Sequence, residues 1–463
     1  MSTATGIEDQ QSKSIFKAVP AVRSLVWFNI FNAISFNIAM STPMILLVKR
    51  WGASNLYIGT LTATMWLMAT MQLYMAPRVE YIGFRKLLLA GWTSRTVVLM
   101  VVCVLPFFST PTNHVSLLWI TLICMTLYSF LRGAATTAYM PWIRLLIGPK
   151  WRGRYFSLEQ SVSNLSAAAT LFFCGIVMVG NHEISDVQYG WILVISGIAG
   201  WISIFFLKSA DSPAPLAGRP KIEPIAKWMP RVFAEKEFRH QIFTAIAFYM
   251  TIGAFPIYTQ ILMKDRLHYT DSLVMIIMGF NMTAIVLSAW FWGYLADRFG
   301  SRPIMSLATR VLMVLLVFWL LMTLGVVSTS PWLLGAFFML HGIGYNGYHI
   351  SNQRLMLNIA PKRFPVLAVA TIQVFVSLSL GVAPILWGGA LDFLKGMKWT
   401  VAGYEMDRYT LFYAVSILML IGAKWMIRRL PNAHGTMPRQ VISYVMLEYP
   451  AQTIRGLFGA EKK

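Results

Sequence analysis

Charge is scarce in this chain, and it leans one way. Only 12% of the residues are charged, and 39 Lys and Arg face 18 Asp and Glu, where an ordinary soluble protein carries about 25% charge. A chain of 463 residues with so little polar surface cannot present a solvated exterior, so its solvent is lipid. Cysteine is nearly missing too. Cys103, Cys124 and Cys174 all fall in apolar stretches at no ligand spacing, which excludes a disulfide framework and a metal site and leaves them as packing residues. No GxxxxGK[ST] phosphate loop occurs and no soluble stretch is long enough for a nucleotide domain, which excludes an ATP-driven pump. The period-two alternation of a membrane barrel is absent. So is the basic, aromatic-interleaved soluble module that nucleic-acid binding needs. The net charge of +21 therefore reads as topology and contact with anionic lipid headgroups, with the bilayer as partner and no nucleic acid.

What is present is hydrophobic, at 57% of the chain. Windows of 18 or more largely apolar residues recur about twelve times, each enough to cross a hydrocarbon core about 30 Å thick as a helix. The expected spans are 24–48, 55–75, 87–108, 116–139, 155–180 and 190–207, then 241–263, 272–292, 304–327, 332–352, 366–387 and 409–427. This divides the chain into an amino-terminal segment 1–23, a six-helix half 24–207, a polar central loop 208–240, a second half 241–427 and a tail 428–463. Pro43 and Pro256 fall late in the first helix of each half, and Pro149 and Pro361 follow the fourth. Their near-constant offset of about 213 residues marks a parallel repeat.

Orientation follows the cations. With the amino terminus inside, 28 of the 39 Lys and Arg lie on the cytoplasmic side and 7 outside, while Arg95, Arg132, Arg310 and Lys424 lie within spans. The segment 1–23 lacks the regions of a cleavable signal, so the first helix is expected to stay in the mature chain.

A run of ten residues, GYLADRFGSR from Gly293 to Arg302, sits between two apolar stretches, and APRVEYIGFR from Ala76 to Arg85 sits between two others. The spacing GxxxDRxGxR resembles the loop signature between helices 2 and 3, and 8 and 9, of the major facilitator superfamily of membrane transporters. Gly293, Asp297, Arg298, Gly300 and Arg302 match it. In the first copy Ala76 and Glu80 replace Gly and Asp, while Gly83 and Arg85 keep their places. The segment Met140 to Gln160, with its RGRYF run, resembles the loop between helices 4 and 5 of bacterial members. The resemblance implies an all-α integral membrane protein of about twelve transmembrane helices in two pseudo-symmetric six-helix bundles. It also implies that the duplicated loop is a gating latch in which Glu80 and Asp297 hold state-specific contacts.

In that fold the first, fourth, seventh and tenth helices are expected to face a central cavity, so their polar residues are the candidate substrate-binding set. His341, Tyr345, Tyr348 and Asn352 fall within about 60° on the tenth helix, with Asn346, His349 and Gln353 beside them. On the fourth, Tyr128, Arg132, Thr136 and Tyr139 share a side. An arginine at membrane depth reads as functional by default. Its nearest candidate partner is Glu159, the one acidic residue well inside a span and so the candidate proton carrier; a fixed Arg132–Glu159 pair that only staples two helices is the competing reading. Asn29 and Asn32 on the first helix and Tyr249 and Gln260 on the seventh can hydrogen-bond a solute or glue helices together. Arg95, Arg310 and Lys424 are expected to snorkel or to meet the motif loops. Trp at span ends reads as an interfacial anchor. In the tail, Ile442, Val445, Met446 and Tyr449 recur at helical spacing, the pattern of an amphipathic surface helix.

The expected function is transport of a small organic solute by alternating access, by facilitated diffusion or secondary coupling. An anionic or polar solute is favoured, because intramembrane cations exceed carboxylates. Proton-coupled export of drugs or metabolites through Glu159 is the alternative, and a non-transporting receptor or assembly factor on the same scaffold is the rival from another class. No cofactor, metal or enzymatic activity is expected. The protein is expected to act as a monomer in the cytoplasmic (inner) membrane. Reporter tags at Arg219 and at the carboxyl terminus should lie on the cytoplasmic face, and tags at Asn113 and Asn181 on the other; Arg219 and Asn113 on one face would contradict the twelve-span topology.

Overall fold

A computed structural model describes residues 15–75, 78–179, 185–210, 230, 233–360, 365–401, 403–432 and 435–445. Ala76, the Glu80 side chain, Pro361, Arg219, Met446 and Tyr449 lie outside the described residues, as does most of the central loop. Among the described residues the regular elements are helices apart from one antiparallel hairpin, Trp399–Val401 with Tyr404–Met406, turned by Gly403 at φ +83°. Ten helices among the described residues are long and apolar enough to cross a membrane. The expected second span breaks at Thr70 into Asn55–Ala69 and Met71–Met75, and the tenth, Pro331–Ile359, carries the polar stripe. Large apolar side chains such as Leu165, Phe205, Leu287 and Trp290 point outward, as a chain solvated by lipid requires.

The repeat has a physical counterpart in the helix breaks. The first span is two helices, Ala21–Met40 and Thr42–Arg50, and the seventh is Lys236–Ile252 and Phe255–Asp265. Pro43 and Pro256 each stand in the first turn of the second piece. A proline there gives up no hydrogen bond the helix needs, while its ring disfavours continuation from the preceding turn. The segment that resembled a loop after the fourth span is helical instead: His114–Thr136 gives way to Tyr139–Leu146, and Pro149–Val177 follows after two residues. Tyr139 therefore starts a new helix and does not continue the stripe of Tyr128 and Arg132.

Contacts divide the chain into two compact units. One comprises Met1–Ile222 with Gly253–Met282 and Leu380–Phe393; the other comprises Glu223–Ile252, Thr283–Ser379 and Leu394–Lys463. The cation-poor ends of the seventh, eighth and eleventh spans thus pack with the first six. In this first unit the sixth span lies on the first and third, the third on the fourth, and the second on the fourth. Phe28, Trp92, Trp142 and Tyr155 build the core toward the cation-rich end. In the second unit the ninth span packs on the tenth and twelfth, and Trp292, Leu295, Ile304 and Tyr444 form a smaller core.

Gly59 and Gly388 let the second and eleventh spans touch at the backbone. A Cβ on Gly59 of the second span would come within 2.2 Å of the Pro384 carbonyl oxygen of the eleventh, and one on Gly388 within 2.5 Å of the Asn55 carbonyl. Neither backbone can yield as a flexible side chain would, so Gly59→Val should force these ends apart. The expected readout, in detergent-solubilised protein lacking its native cysteines, is faster maleimide labelling of a reporter cysteine at Ala53, now 5% exposed. Unchanged labelling would show that the close approach is not what seals this end.

Candidate functional site

The cation-poor end of the first unit is closed by polar contacts drawn from both halves of the sequence. The second span starts at Asn55, and its first three amides all find acceptors. Asp392, at the end of the eleventh span, accepts from the Asn55 N–H at 3.0 Å and the Leu56 N–H at 2.7 Å, and Ser54 Oγ accepts from Tyr57 at 3.1 Å. The same carboxylate takes the Asn55 side-chain amide at 2.7 Å. An anion on free helix amides is the favourable electrostatic arrangement, here supplied from 337 residues away. Tyr258 Oη reaches the carbonyls of Asn55 and Pro384.

Around this cap run ion pairs. Lys49 Nζ lies 2.9 Å from Asp265, Arg50 Nε 2.6 Å from Asp186 and Lys264 Nζ 2.6 Å from Asp271, while Tyr189 donates to Asp271 at 2.7 Å. These groups keep some exposure, so each pair contributes about 1 kcal/mol or less. An open cavity of about 680 Å³, lined by Arg50, His114, Asp186, Lys264 and Asp271 among others, sits beside them. In the sequence Asp392 stands out only as an acid just beyond the eleventh span, and none of these contacts is legible. The set's one visible signal was that Asp186, Asp265, Asp271 and Asp392 cluster at span ends with few cations.

Deeper in the first unit lie four of the expected binding residues. Asn32 Oδ1 accepts from Arg95 Nη2 and from Trp92 Nε1, the latter at 3.2 Å. The Arg95 guanidinium lies 4.5 Å from the Trp92 ring centre and 5.2 Å from that of Tyr128. Arg95 is 1% exposed and neither snorkels nor meets a motif loop, which corrects that expectation: Asn32 and two aromatic faces hold it inside the bundle. Arg132 rests 4.6 Å from the Phe36 ring centre. It does not pair with Glu159, whose carboxylate instead accepts from Tyr139 Oη at 2.8 Å, with Tyr155 Oη 3.0 Å beyond. The static staple between the fourth and fifth helices is therefore not formed. Asn29 is buried nearby. Gln260 is buried apart from these, donating within its own helix to the Pro256 carbonyl at 2.8 Å.

The other five expected residues are in the second unit. His341, Tyr345 and His349 stack along the tenth span, with ring centres 6.1 and 5.8 Å apart. Tyr249 Oη lies 2.9 Å from His349 Nδ1, and Tyr348 stacks face to face on Phe248. Gln241 donates to the Asn352 carbonyl at 3.0 Å and to its side-chain oxygen at 3.2 Å, and Asn346 donates to Ile285 and Ser288. Asn352 and Asn346 thus join helices of one unit, whereas the His341–Tyr345–His349 stack is the part of the stripe that stays aromatic, with His341 buried and Tyr345 and His349 half-buried.

The duplicated loops share a turn. Gly83 and Gly300 both stand at φ +86° immediately before a helix, a conformation that a side chain resists. Asp297 pairs with Arg354 of the tenth span. Arg298 donates to Tyr444 at 2.9 Å and to Tyr294 at 3.2 Å, tying the loop to the tail. Arg85 donates to the Lys208 carbonyl at 2.5 Å. Arg302 lines a cavity of about 390 Å³ with Arg310 and Arg428. A Cβ at Gly293 would meet open space, so packing does not set that position.

In sequence the chain matches the Major Facilitator Superfamily over residues 25–309 and again over 241–443, two overlapping matches that together cover most of its length. The chain belongs to that superfamily. It is therefore a multi-pass membrane protein of the transporter class, on a scaffold whose members carry small solutes. Solved structures agree on the fold. The nucleoside transporter NupG, in a mutant form, superposes with a TM-score of 0.67 at 11% identity, covering 88% of this chain and 99% of that one. A bacterial homologue of the iron transporter ferroportin, in an inward-facing state, gives 0.65 at 12% identity over 90% and 99%. The xylose transporter XylE from E. coli, inward open, gives 0.63 at 15% over 91% and 98%. No curated protein matches the chain in sequence.

Proposed function

We propose that this superfamily member is a secondary transporter that moves a small organic solute across the cytoplasmic membrane by alternating access. In this reading it works without ATP, as a monomer with both termini in the cytoplasm, and its moving halves are 24–207 and 241–427 joined by 208–240. The observation that carries the reading is the closed cation-poor end. Its seal consists of a helix cap, phenol hydrogen bonds and partly exposed ion pairs, all of which water can replace when the end opens. A permanently packed wall would use apolar side chains instead. The seal thus has the energetics of a gate: several contacts of about 1 kcal/mol or less, weak singly and firm together.

Coupling to protons is the second reading, and the Tyr139–Glu159 contact favours it. Among the described spans Glu159 is the carboxylate placed between the ends, and its phenol partner lies in a chain with Tyr155 along which a proton can be handed on.

At the other end, the Asp297–Arg354 pair is the latch. The Asp297 side chain is 79% exposed, so losing the pair costs little stability and acts instead on the balance between states. Asp297→Asn is expected to lower the initial rate of solute uptake into proteoliposomes about 2- to 5-fold, the factor set by a contact of up to about 1 kcal/mol. Apparent affinity and thermal midpoint should stay near those of the wild type. A wild-type rate in the variant would reduce the loop to a topological signal, and failure of the wild type to move any sugar, nucleoside, organic acid or amine would overturn the transport reading itself.

A further inference from the structure

The buried polar atoms of the first unit that lack partners identify what they are built to meet. Arg95 is 1% exposed, and of its guanidinium nitrogens only Nη2 has an acceptor, Asn32 Oδ1, which Trp92 also uses. Arg95 Nε and Nη1 are buried with none, and so is the Oη of Tyr128, whose ring lies under the guanidinium. Arg132, one turn beyond Tyr128, carries a second guanidinium over Phe36, and the two cations repel across the seam between the first, third and fourth spans. Among the described residues neither pairs with a carboxylate: Glu159 is engaged by Tyr139, and Asp186, Asp265, Asp271 and Asp392 are engaged at the cation-poor end. Arginine stays charged at any physiological pH, so proton loss cannot relieve the burial. On the tenth span the amides of Asn352 and Asn346 do meet protein partners, Gln241 of the seventh span and Ser288 of the eighth, and the buried groups left open there, the Ser351 hydroxyl and the Gln241 side-chain oxygen, are neutral.

We propose that this seam binds the oxyanion group of the transported solute, a carboxylate, sulfate or phosphate, with Arg95 as its anchor and Arg132 and Tyr128 beside it. The proposal rests on the transport reading and adds the charge of the cargo. Two guanidiniums and a phenol, with no acid paired to them among the described residues, give a net positive site whose open positions are donors, which selects an acceptor-only group and rejects amines and quaternary ammonium ions. The Trp92 and Tyr128 rings hold the Arg95 plane, so the fork is oriented before the anion arrives.

The test uses the full-length protein in detergent and in phosphatidylcholine vesicles, with inorganic phosphate, sulfate, succinate, glucose, uridine and choline as probes. At least one anion should raise the thermal midpoint of the wild type and be taken up, with choline inert. Arg95→Gln should weaken that anion's apparent affinity roughly 10- to 100-fold, the loss of a hydrogen bond to a charged group, and Arg95→Lys should keep part of it. Because Arg95→Gln removes an unpaired buried charge, its midpoint without ligand should equal or exceed that of the wild type; a purely structural arginine would lower it. Wild-type anion affinity in Arg95→Gln overturns the proposal, as does the absence of any anion effect on the wild type. Protection by phosphatidylglycerol vesicles and by no free anion would assign the seam to a lipid headgroup and overturn the solute assignment. Uptake of glucose, uridine or choline alone would sink the anion site and leave transport standing, whereas uptake of nothing would sink transport.

Discussion

A single carboxylate, that of Asp392, completes the amino-terminal cap of the second span, and the closed end of the first unit is arranged around it. Backbone amides at the rim of a bilayer must be satisfied by water or by protein. Here Asp392 takes two of them, Ser54 takes a third, and Gly59 and Gly388 remove the side chains that would keep the helices too far apart for the carboxylate to reach. Tyr258 then bridges the same two helices from the seventh. The ion pairs of Lys49, Arg50 and Lys264 form a rim whose members are individually weak. Such a seal is tight only while all its parts are engaged, the property that makes an element two-state.

The two polar regions of the protein differ in which groups are left open. In the second unit, Asn346 and Asn352 on the tenth span find partners on neighbouring helices, and what remains is neutral: the Ser351 hydroxyl, the Gln241 side-chain oxygen and an aromatic stack of His341, Tyr345 and His349. In the first unit, guanidinium and phenol groups face one another with donors to spare. A buried polar group left open costs free energy unless something fills it, so the first unit carries the clearer trace of a ligand.

Much of the architecture was legible from local chemistry. The spans follow from length and hydropathy, the repeat from Pro43 and Pro256, and the paired turns from Gly83 and Gly300, each a position whose backbone demand is written in its own residue. The helical course of 140–154 was not, because the prolines and glycines there read as turn signals while the packed neighbours kept the chain helical. Arg95 was misplaced for a different reason. Its position near a span end allowed snorkelling, and only the tertiary placement of Asn32, Trp92 and Tyr128 shows that it turns inward. The Asp392 cap was out of reach altogether, since an aspartate just past a helix looks like any interfacial acid until the amides it serves, far away in sequence, are brought to it.

The central claim is that this capped end must open for the protein to work. Cysteines replacing Asn55 and Asp392, in a chain whose Cys103, Cys124 and Cys174 have been changed to serine, would be bridged by a short bis-methanethiosulfonate reagent and solute uptake followed in proteoliposomes. The account predicts that uptake stops when the bridge forms and returns when it is reduced. Full uptake with the bridge demonstrably in place would contradict it.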